Sequence, residues 1–541
     1  MRDGHPAVLV WRRPDRIDPS PGQFPGDESG KVRYNYSPDP VAGLDDTPAT
    51  TARPAKKEST MAGLEFATID DLEAAASSIL RIEDDGVDVL DGDAMRAGLI
   101  DRLAWTAVFG DDEPRAQARW LIRHIANATG AWSASIHDLY MAAGQDAYSY
   151  VTTPAINVRG VAYDLARTIF QAAHDTDSKQ VIFELARSEM GYTDQRPGEY
   201  ASVVLAAAVK EGWQGPVFIQ GDHYQASLSA WGQDPAAELN AVRNLTVEAI
   251  RAGYGNIDID ASTLVDLSLP TLKEQQRANY VNTAELTEAI RAAEPEGVTI
   301  SIGGEIGEVG KTNSTIEDLD AFMEGYQKEL SRRERESGKP LTGISKISVQ
   351  TGTSHGGVVL ADGSIEEVSV DFDTLAELSA ASKAKYRIGG AVQHGASTLP
   401  ESAFGKFAAA NAIEVHLATA FQSAIYDSPY FPKDLLGRMY AYLDEHHSDE
   451  RKEGQTDAQF YYNARKRALG PFKRDLWMLP EEVKAEILDN LRQRFVLIMN
   501  ELGVAGRGDL VDRYVKRVDF PVYREGDTAN LTNVDLGDEG E

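Results

Sequence analysis

Cysteine is absent from the 541-residue chain, which excludes disulfides and thiolate metal ligands, so any metal must be held by His, Asp, Glu or backbone oxygen. Basic residues are scarce: 54 Lys plus Arg stand against 85 Asp plus Glu, a formal charge of −31. Such a surface repels nucleic acid and anionic membranes, and neither is expected as a partner. No apolar run approaches the roughly 18 residues of a membrane-spanning helix. The first residues also lack the continuous apolar core of a secretory signal, so the expected location is the cytoplasm. What is present, a hydrophobic fraction of 42%, is ordinary for a globular protein.

Proline, Asp, Gly, Ser and Thr crowd residues 1–60 without a lasting apolar period. That stretch cannot bury enough surface to offset its ordering entropy and is predicted to be disordered. Residues 61–150 turn helical, with apolar spacing of helical period over Met95 to Phe109 and Pro114 to Ala128. His124 and His137 fall there and read as surface or packing residues. From 151 to 428, strand-like runs alternate with amphipathic segments: Thr153 to Val158, Gln180 to Leu185, Pro216 to Ile219, Asn256 to Asp260, Thr299 to Gly303, Ile344 to Gln350, Tyr386 to Gln393 and Ala412 to Leu417. Reciprocal caps are expected at Asn282 with Glu285, Ser314 with Glu317 and Thr374 with Glu377. This order predicts an α/β fold, a (β/α)8 TIM barrel, flanked by the disordered segment, a helical cap and a helical extension over 429–541 with an acidic tail. An open doubly wound sheet is the alternative. The extension is dense in aromatics, among them Tyr440, Tyr442, Phe460, Tyr461, Phe472 and Trp477, which suit either packing on the barrel or a dimer arm.

Three of the ten histidines close strand-like runs: His223 in PVFIQGDHYQ, His355 in ISKISVQTGTSHG and His394 in YRIGGAVQHGAS. In the first run the strand is expected to stop at Asp222 and His223. Imidazoles converging from separate strands hold zinc with an open position. Each alone reads first as an ordinary strand-end residue bonded to backbone; together, flanked by glycine, they favour metal. Asp260 and Ser262 end the fourth strand, Glu305, Glu308 and Lys311 follow the fifth, and His416 lies on the eighth.

GDHYQ, the strand ending in Asp260, GEIG, GTSHG and HGAS, in that order and preceded by PAIN at Asn157, resemble the class II metal-dependent fructose-bisphosphate and tagatose-bisphosphate aldolases over about residues 153–422. The resemblance implies that His223, His355 and His394 hold a catalytic Zn2+, or another divalent metal. It implies that Asp222 is the acid/base on the hydroxyl at the bond being cut, and that Asp260 and Glu305 hold the metal in an alternative site. Gly356, Gly395, Ala396 and Ser397 match donors to a phosphate, and Asn157 matches a substrate-contacting Asn. His416 and Thr419 join the substrate-binding candidates.

Departures from the pattern bear on substrate. The eighth strand reads VHLATAFQ, with His416 and Ala418 where the family has an Asn and an Asp-containing turn. Val358 and Val359 stand where a lysine often follows the sixth-strand histidine. The loop after the fifth strand is short, leaving Glu308 as the nearby candidate for carbon-bound proton transfer and Lys311 for phosphate contact. The leading expectation is a homo-oligomeric (dimer or tetramer) lyase of carbohydrate metabolism, cleaving a ketose phosphate such as fructose 1,6-bisphosphate to dihydroxyacetone phosphate and an aldehyde. A non-catalytic barrel subunit of a tagatose-bisphosphate aldolase-type complex, a scaffold that would not need the complete histidine set, and another metal-dependent lyase are the competing readings.

Overall fold

The computed structural model describes residues 64–307, 312–352 and 369–524. The expected disorder of 1–60 and the acidic tail from 525 lie outside the described residues, as do Glu308, Lys311, His355 and Gly356.

Eight parallel strands form the barrel: β1 Thr153–Asn157, β2 Ile182–Ala186, β3 Gly215–Gln225, β4 Asn256–Asp260, β5 Ser301–Glu305, β6 Lys346–Val349, β7 Ala391–Gln393 and β8 Glu414–Leu417. Each pairs with its neighbours in chain order. The register Glu414↔Thr153 to Leu417↔Ile156 joins β8 back to β1. That closure fulfils the (β/α)8 expectation and excludes the open sheet, which has two free edges. Apart from half-buried Gln225 the strands are buried, with helices over their outer face, so both sides read as apolar or polar-but-buried rather than alternating with solvent.

Most strand boundaries fall within two residues of the sequence reading, and two differ by more. The third strand does not stop at Asp222 and His223 but continues to Gln225. The seventh begins at Ala391, because Tyr386 ends the helix Phe372–Tyr386 and Arg387 closes it at φ 60°. The expected caps also shift. Asn282 lies inside the helix Arg277–Ala293 and donates back to Ala278 O at 2.8 Å. The capping box falls one residue later than expected, on Thr315 and Asp318, and Asp371, not Thr374, caps Phe372–Tyr386. Thr315 takes the cap with extended backbone (φ −115°, ψ 166°), and the Asp371 side chain accepts from Thr374 N.

Within residues 61–150 the helix Asp112–Thr129 ends at left-handed Gly130 (φ 93°). It feeds a short strand, Ala131–Ala134, that pairs with Gly215–Phe218 on the side of β3 later taken by β4. A two-stranded hairpin, Leu80–Ile82 with Val87–Val89, precedes it. After the barrel come helices Lys433–His446, Asp457–Ala464, Glu481–Glu501 and Gly508–Tyr514. Glu481–Glu501 is tied to the helix Ala162–Asp175 by Lys484–Asp164 (2.9 Å) and Arg492–Asp175 (2.7 Å). Trp477 meets Trp105 edge-on at 5.5 Å and Phe109 at 5.4 Å, so this aromatic is used in packing within the chain.

Candidate active site

A bulge on β3 creates the site. Gly221 pairs with Ile257, but the next partners are Tyr224 and Ile259, so β3 carries one extra residue. The extra residue lets His223 adopt φ 38°, outside the strand region. In a regular strand Asp222 and His223 would point to opposite faces; the bulge re-aims one of them. Both reach the barrel mouth, Asp222 toward His416 and His223 toward His394. Gly221 allows this, since a Cβ there would stand 2.4 Å from the Tyr224 ring.

His223 Nε2 lies 3.0 Å from His394 Nδ1. At that distance one nitrogen can donate to the other, and in the tautomers that leave both unprotonated their two lone pairs face one point, as a shared cation requires. Asp260 Oδ2 stands 3.2 Å from His223 Nδ1, the carboxylate that fixes tautomer and ring orientation in many metal sites. Burial pushes the Asp260 carboxyl up, but hydrogen bonds from His223, Ser262 and Gln225 outweigh it and hold the group below the ordinary range. His394 Nε2 meets Ser348 Oγ at 3.1 Å and Glu305 Oε2 at 3.7 Å, while Glu305 Oε1 accepts from Gly307 N. The donor set of imidazoles backed by carboxylates fits a first-row divalent ion.

Below this mouth the lumen is charged. Lys346, fully buried, donates to Gln220 (2.8 Å), Asp258 (2.9 Å) and Glu414 (2.5 Å). Glu414 also accepts from Tyr140 OH and contacts His416 Nε2 at 2.6 Å. His416 Nδ1 faces Glu184 Oε2 at 2.9 Å and Asp222 Oδ1 at 3.2 Å. Burial alone would keep these groups neutral; pairing reverses it for some of them. Burial lowers the His416 imidazolium, yet Glu184 and Asp222 raise it well above its ordinary value. Burial raises Asp222, yet His223 and then His416 hold it well below the carboxylate range. Glu184 is pushed up to about 8 by burial, only partly relieved by His416. Asp258 is raised to about 6 by burial, with Lys346 opposing. Gly303 makes room, since a Cβ there would meet Asp258 Oδ1 at 2.3 Å.

The structure therefore brings together Asp222, His223, Asp260, Glu305, His394 and His416 at one end of the barrel. Among the described residues, the groups spaced to hold an ion are Asp222, His394 and His416, and Glu184, Glu414 and His416. His223, Asp260 and Glu305, expected as metal ligands, belong to neither. Asn157 is buried and donates to Glu189, which also takes Arg159. Gly395 is left-handed (φ 70°), Ala396 is buried, and Ser397 Oγ accepts from Ala420 N at 3.2 Å, beside half-buried Thr419. Sequence reasoning missed Glu184, Asp258, Lys346 and Glu414. Their signal is alternation: in NIDID and EVHL, charged residues recur at every second position and share the lumen face.

A closed parallel barrel with imidazoles and carboxylates converging on one mouth has the architecture of a barrel enzyme whose site lies at one end of the strands. The model of the class-II fructose-bisphosphate aldolase family matches residues 135–468. The chain belongs to that family of aldolase-type lyases. No curated protein matches it in sequence. Among solved structures it is similar to a fructose-bisphosphate aldolase from Campylobacter jejuni, with 18% identity, 70% of this chain and 96% of that chain covered, and a TM-score of 0.41. It is also similar to the YdjI aldolase from Escherichia coli K12 (14%, 69% and 98%, TM-score 0.37). A third is the fructuronate-tagaturonate epimerase UxaE from Cohnella laeviribosi (13%, 81% and 90%, TM-score 0.41). No helix among the described residues is long and apolar enough to cross a membrane.

Proposed function

We propose that the chain is a zinc-dependent, or other divalent-metal-dependent, class II aldolase. It reversibly cleaves a ketose (bis)phosphate, foremost fructose 1,6-bisphosphate, to dihydroxyacetone phosphate and an aldehyde, glyceraldehyde 3-phosphate in that case. The observation that carries this reading is the 3.0 Å approach of His223 Nε2 to His394 Nδ1 next to buried Asp222. His223 and His394 would hold the ion, with His355 as the third ligand. A cation there supplies a Lewis acid for the ketone oxygen.

Asp222 is the base for the hydroxyl proton at the bond being cut and returns it in the reverse direction. Its carboxyl is held anionic by His223 and His416, so it has a lone pair to accept the proton. Glu308 is the candidate for transfer at carbon. Asn157, Gly356, Gly395, Ala396, Ser397, His416 and Thr419 form the substrate surface. The left-handed turn at Gly395 supports phosphate capture by backbone N–H groups. Asp260 and Glu305 support the imidazoles. We place this homo-oligomeric enzyme in the cytoplasm, in carbohydrate metabolism. No Schiff-base lysine is needed, and Lys346 spends its donors on Gln220, Asp258 and Glu414.

Metal analysis of the purified chain and a coupled assay for triose phosphate release test this. Bound divalent metal, loss of cleavage with chelator and in Asp222→Ala, and no borohydride trapping are expected. Full cleavage without any divalent metal overturns the reading. Cleavage that appears only when a partner protein is added supports the accessory-subunit alternative instead.

A further inference from the structure

We propose that Tyr140, which precedes the barrel in the chain and enters it from the end opposite the site, is a positioning residue for the acid/base Asp222, acting through Glu414 and His416. The inference rests on the preceding reading only in taking Asp222 as that acid/base.

Tyr140 lies on the helix His137–Gly144, ahead of the first barrel strand. That helix is fastened where the strands begin. Ile136 N donates at 2.9 Å to Oδ1 of Asn256, the first residue of β4. A Cβ on Gly389, just before β7, would stand 3.1 Å from Tyr140 Cβ. The phenol is fully buried, and its hydroxyl donates at 2.5 Å to Oε2 of Glu414, the first residue of β8.

Two further contacts carry the line to the mouth. Glu414 Oε1 meets His416 Nε2 at 2.6 Å, and His416 Nδ1 faces Asp222 Oδ1 at 3.2 Å. Side chains alternate along a strand, so Glu414 and His416 share the lumen face of β8. A carboxylate on one ring nitrogen fixes the orientation of an imidazole and so decides where the other nitrogen points. Tyr140 and Lys346 fix that carboxylate in turn, one on each oxygen.

Asp222 needs such a hold more than a residue of a regular strand does. It lies at the bulge, where the pleat no longer sets its direction. Its Oδ1 completes no hydrogen bond of good geometry, so the ion pair with His416 is what aims that oxygen. Glu184 Oε2 draws the same ring nitrogen at 2.9 Å, and the grip of Glu414 on Nε2 keeps the ring from turning to Glu184 alone. Without the Tyr140 hydroxyl, Glu414 loses the donor on Oε2 and can swing, and the ring that follows it turns away from Asp222. His416, a candidate for the substrate surface, thereby has a second task.

Steady-state cleavage of fructose 1,6-bisphosphate by the full metal-loaded chain tests this. Tyr140→Phe is expected to keep the metal content and KM of wild type and to lower kcat about 10-fold, the size of effect that loss of an outer partner has. His416→Asn is expected to lower kcat further, and Tyr140→Phe/His416→Asn to be no slower than His416→Asn, because both act along one line. Tyr148→Phe removes a hydroxyl that donates to Leu139 O at 3.1 Å close by in the chain, and it is expected to match wild type. Should Tyr140→Phe fail to fold, as judged by circular dichroism, Glu414→Gln with and without His416→Asn makes the same comparison. Wild-type kcat in folded Tyr140→Phe, losses that multiply in the double variant, a loss seen in KM alone or an equal loss in Tyr148→Phe each overturns the relay and leaves the aldolase reading intact. A metal-loaded wild type that cleaves no ketose phosphate removes both.

Discussion

Asp260 Oδ2 lies 3.2 Å from His223 Nδ1, while its Oδ1 accepts from Ser262 N at 2.9 Å and Ser262 Oγ at 2.7 Å. Ser262 pins one oxygen, and the other accepts from Gln225 Nε2 at 2.6 Å while facing the imidazole. A proton held on Nδ1 leaves Nε2, the atom facing His394, with its lone pair.

Asp260→Asn should therefore weaken metal binding without unfolding the barrel. The Asn amide can donate toward Nδ1, which favours the tautomer with its proton on Nε2, where the ion must bind. Loss of such an outer partner typically costs about 10–100-fold in affinity. Competition against a chromophoric chelator measures it. An unchanged affinity would remove Asp260 from this role.

Gly221→Ala should disturb the bulge that aims Asp222 and His223. The new Cβ would stand 2.4 Å from the ring of Tyr224, a fully buried side chain. Overpacking of this kind costs about 1–3 kcal/mol, and here the strain lands on the strand that carries the site. Urea midpoints should fall and Co2+ binding should weaken together. Gly221→Ala/Tyr224→Leu should recover part of both, and a Gly221→Ala protein as stable and as metal-competent as wild type would sink the argument.

The eight barrel strands were legible because each is a short apolar run between breakers or helix starts. Their closure was inferred from count and order alone. The bulge was not legible, because GDHY reads equally as a strand end and as a strand with an inserted residue; only the pairing of Tyr224 with Ile259 decides. His223, His394, Asp222 and Asp260 were found because they sit at the C-terminal ends of strands. Asp258, Lys346 and Glu414 were missed because they lie deeper. Both faces of such strands are buried, so apolar content alone does not distinguish the lumen from the helix-facing layer. Alternation within NIDID and EVHL carried that information.

Lys346→Met should be strongly destabilising. The ammonium is the shared partner of Asp258 and Glu414 in the lumen. Its removal leaves two buried carboxylates facing each other, and breaking one side of a buried pair costs about 3–5 kcal/mol. Removing the charges with it, in Lys346→Met/Asp258→Asn/Glu414→Gln, should restore a large part of the loss. Chemical denaturation of both proteins checks this. A triple variant no more stable than Lys346→Met would show that volume, not charge, dominates.

His137 gives a pH dependence of stability separate from the site. It is 6% exposed, and burial, aided by the charge of Arg291, lowers its pKa to about 4. Between about pH 4 and 6.5 the unfolded chain binds a proton at this residue that the folded chain does not, so stability rises with pH across that window. The contribution is fully present above about 6.5 and is lost as pH falls through the window, by about 3 kcal/mol at most. His137→Gln removes the titration but keeps a polar side chain. The urea midpoint of wild type should therefore fall more steeply than that of His137→Gln between pH 7 and pH 4.5. Parallel profiles would mean that the His137 ring accepts its proton within the fold without penalty.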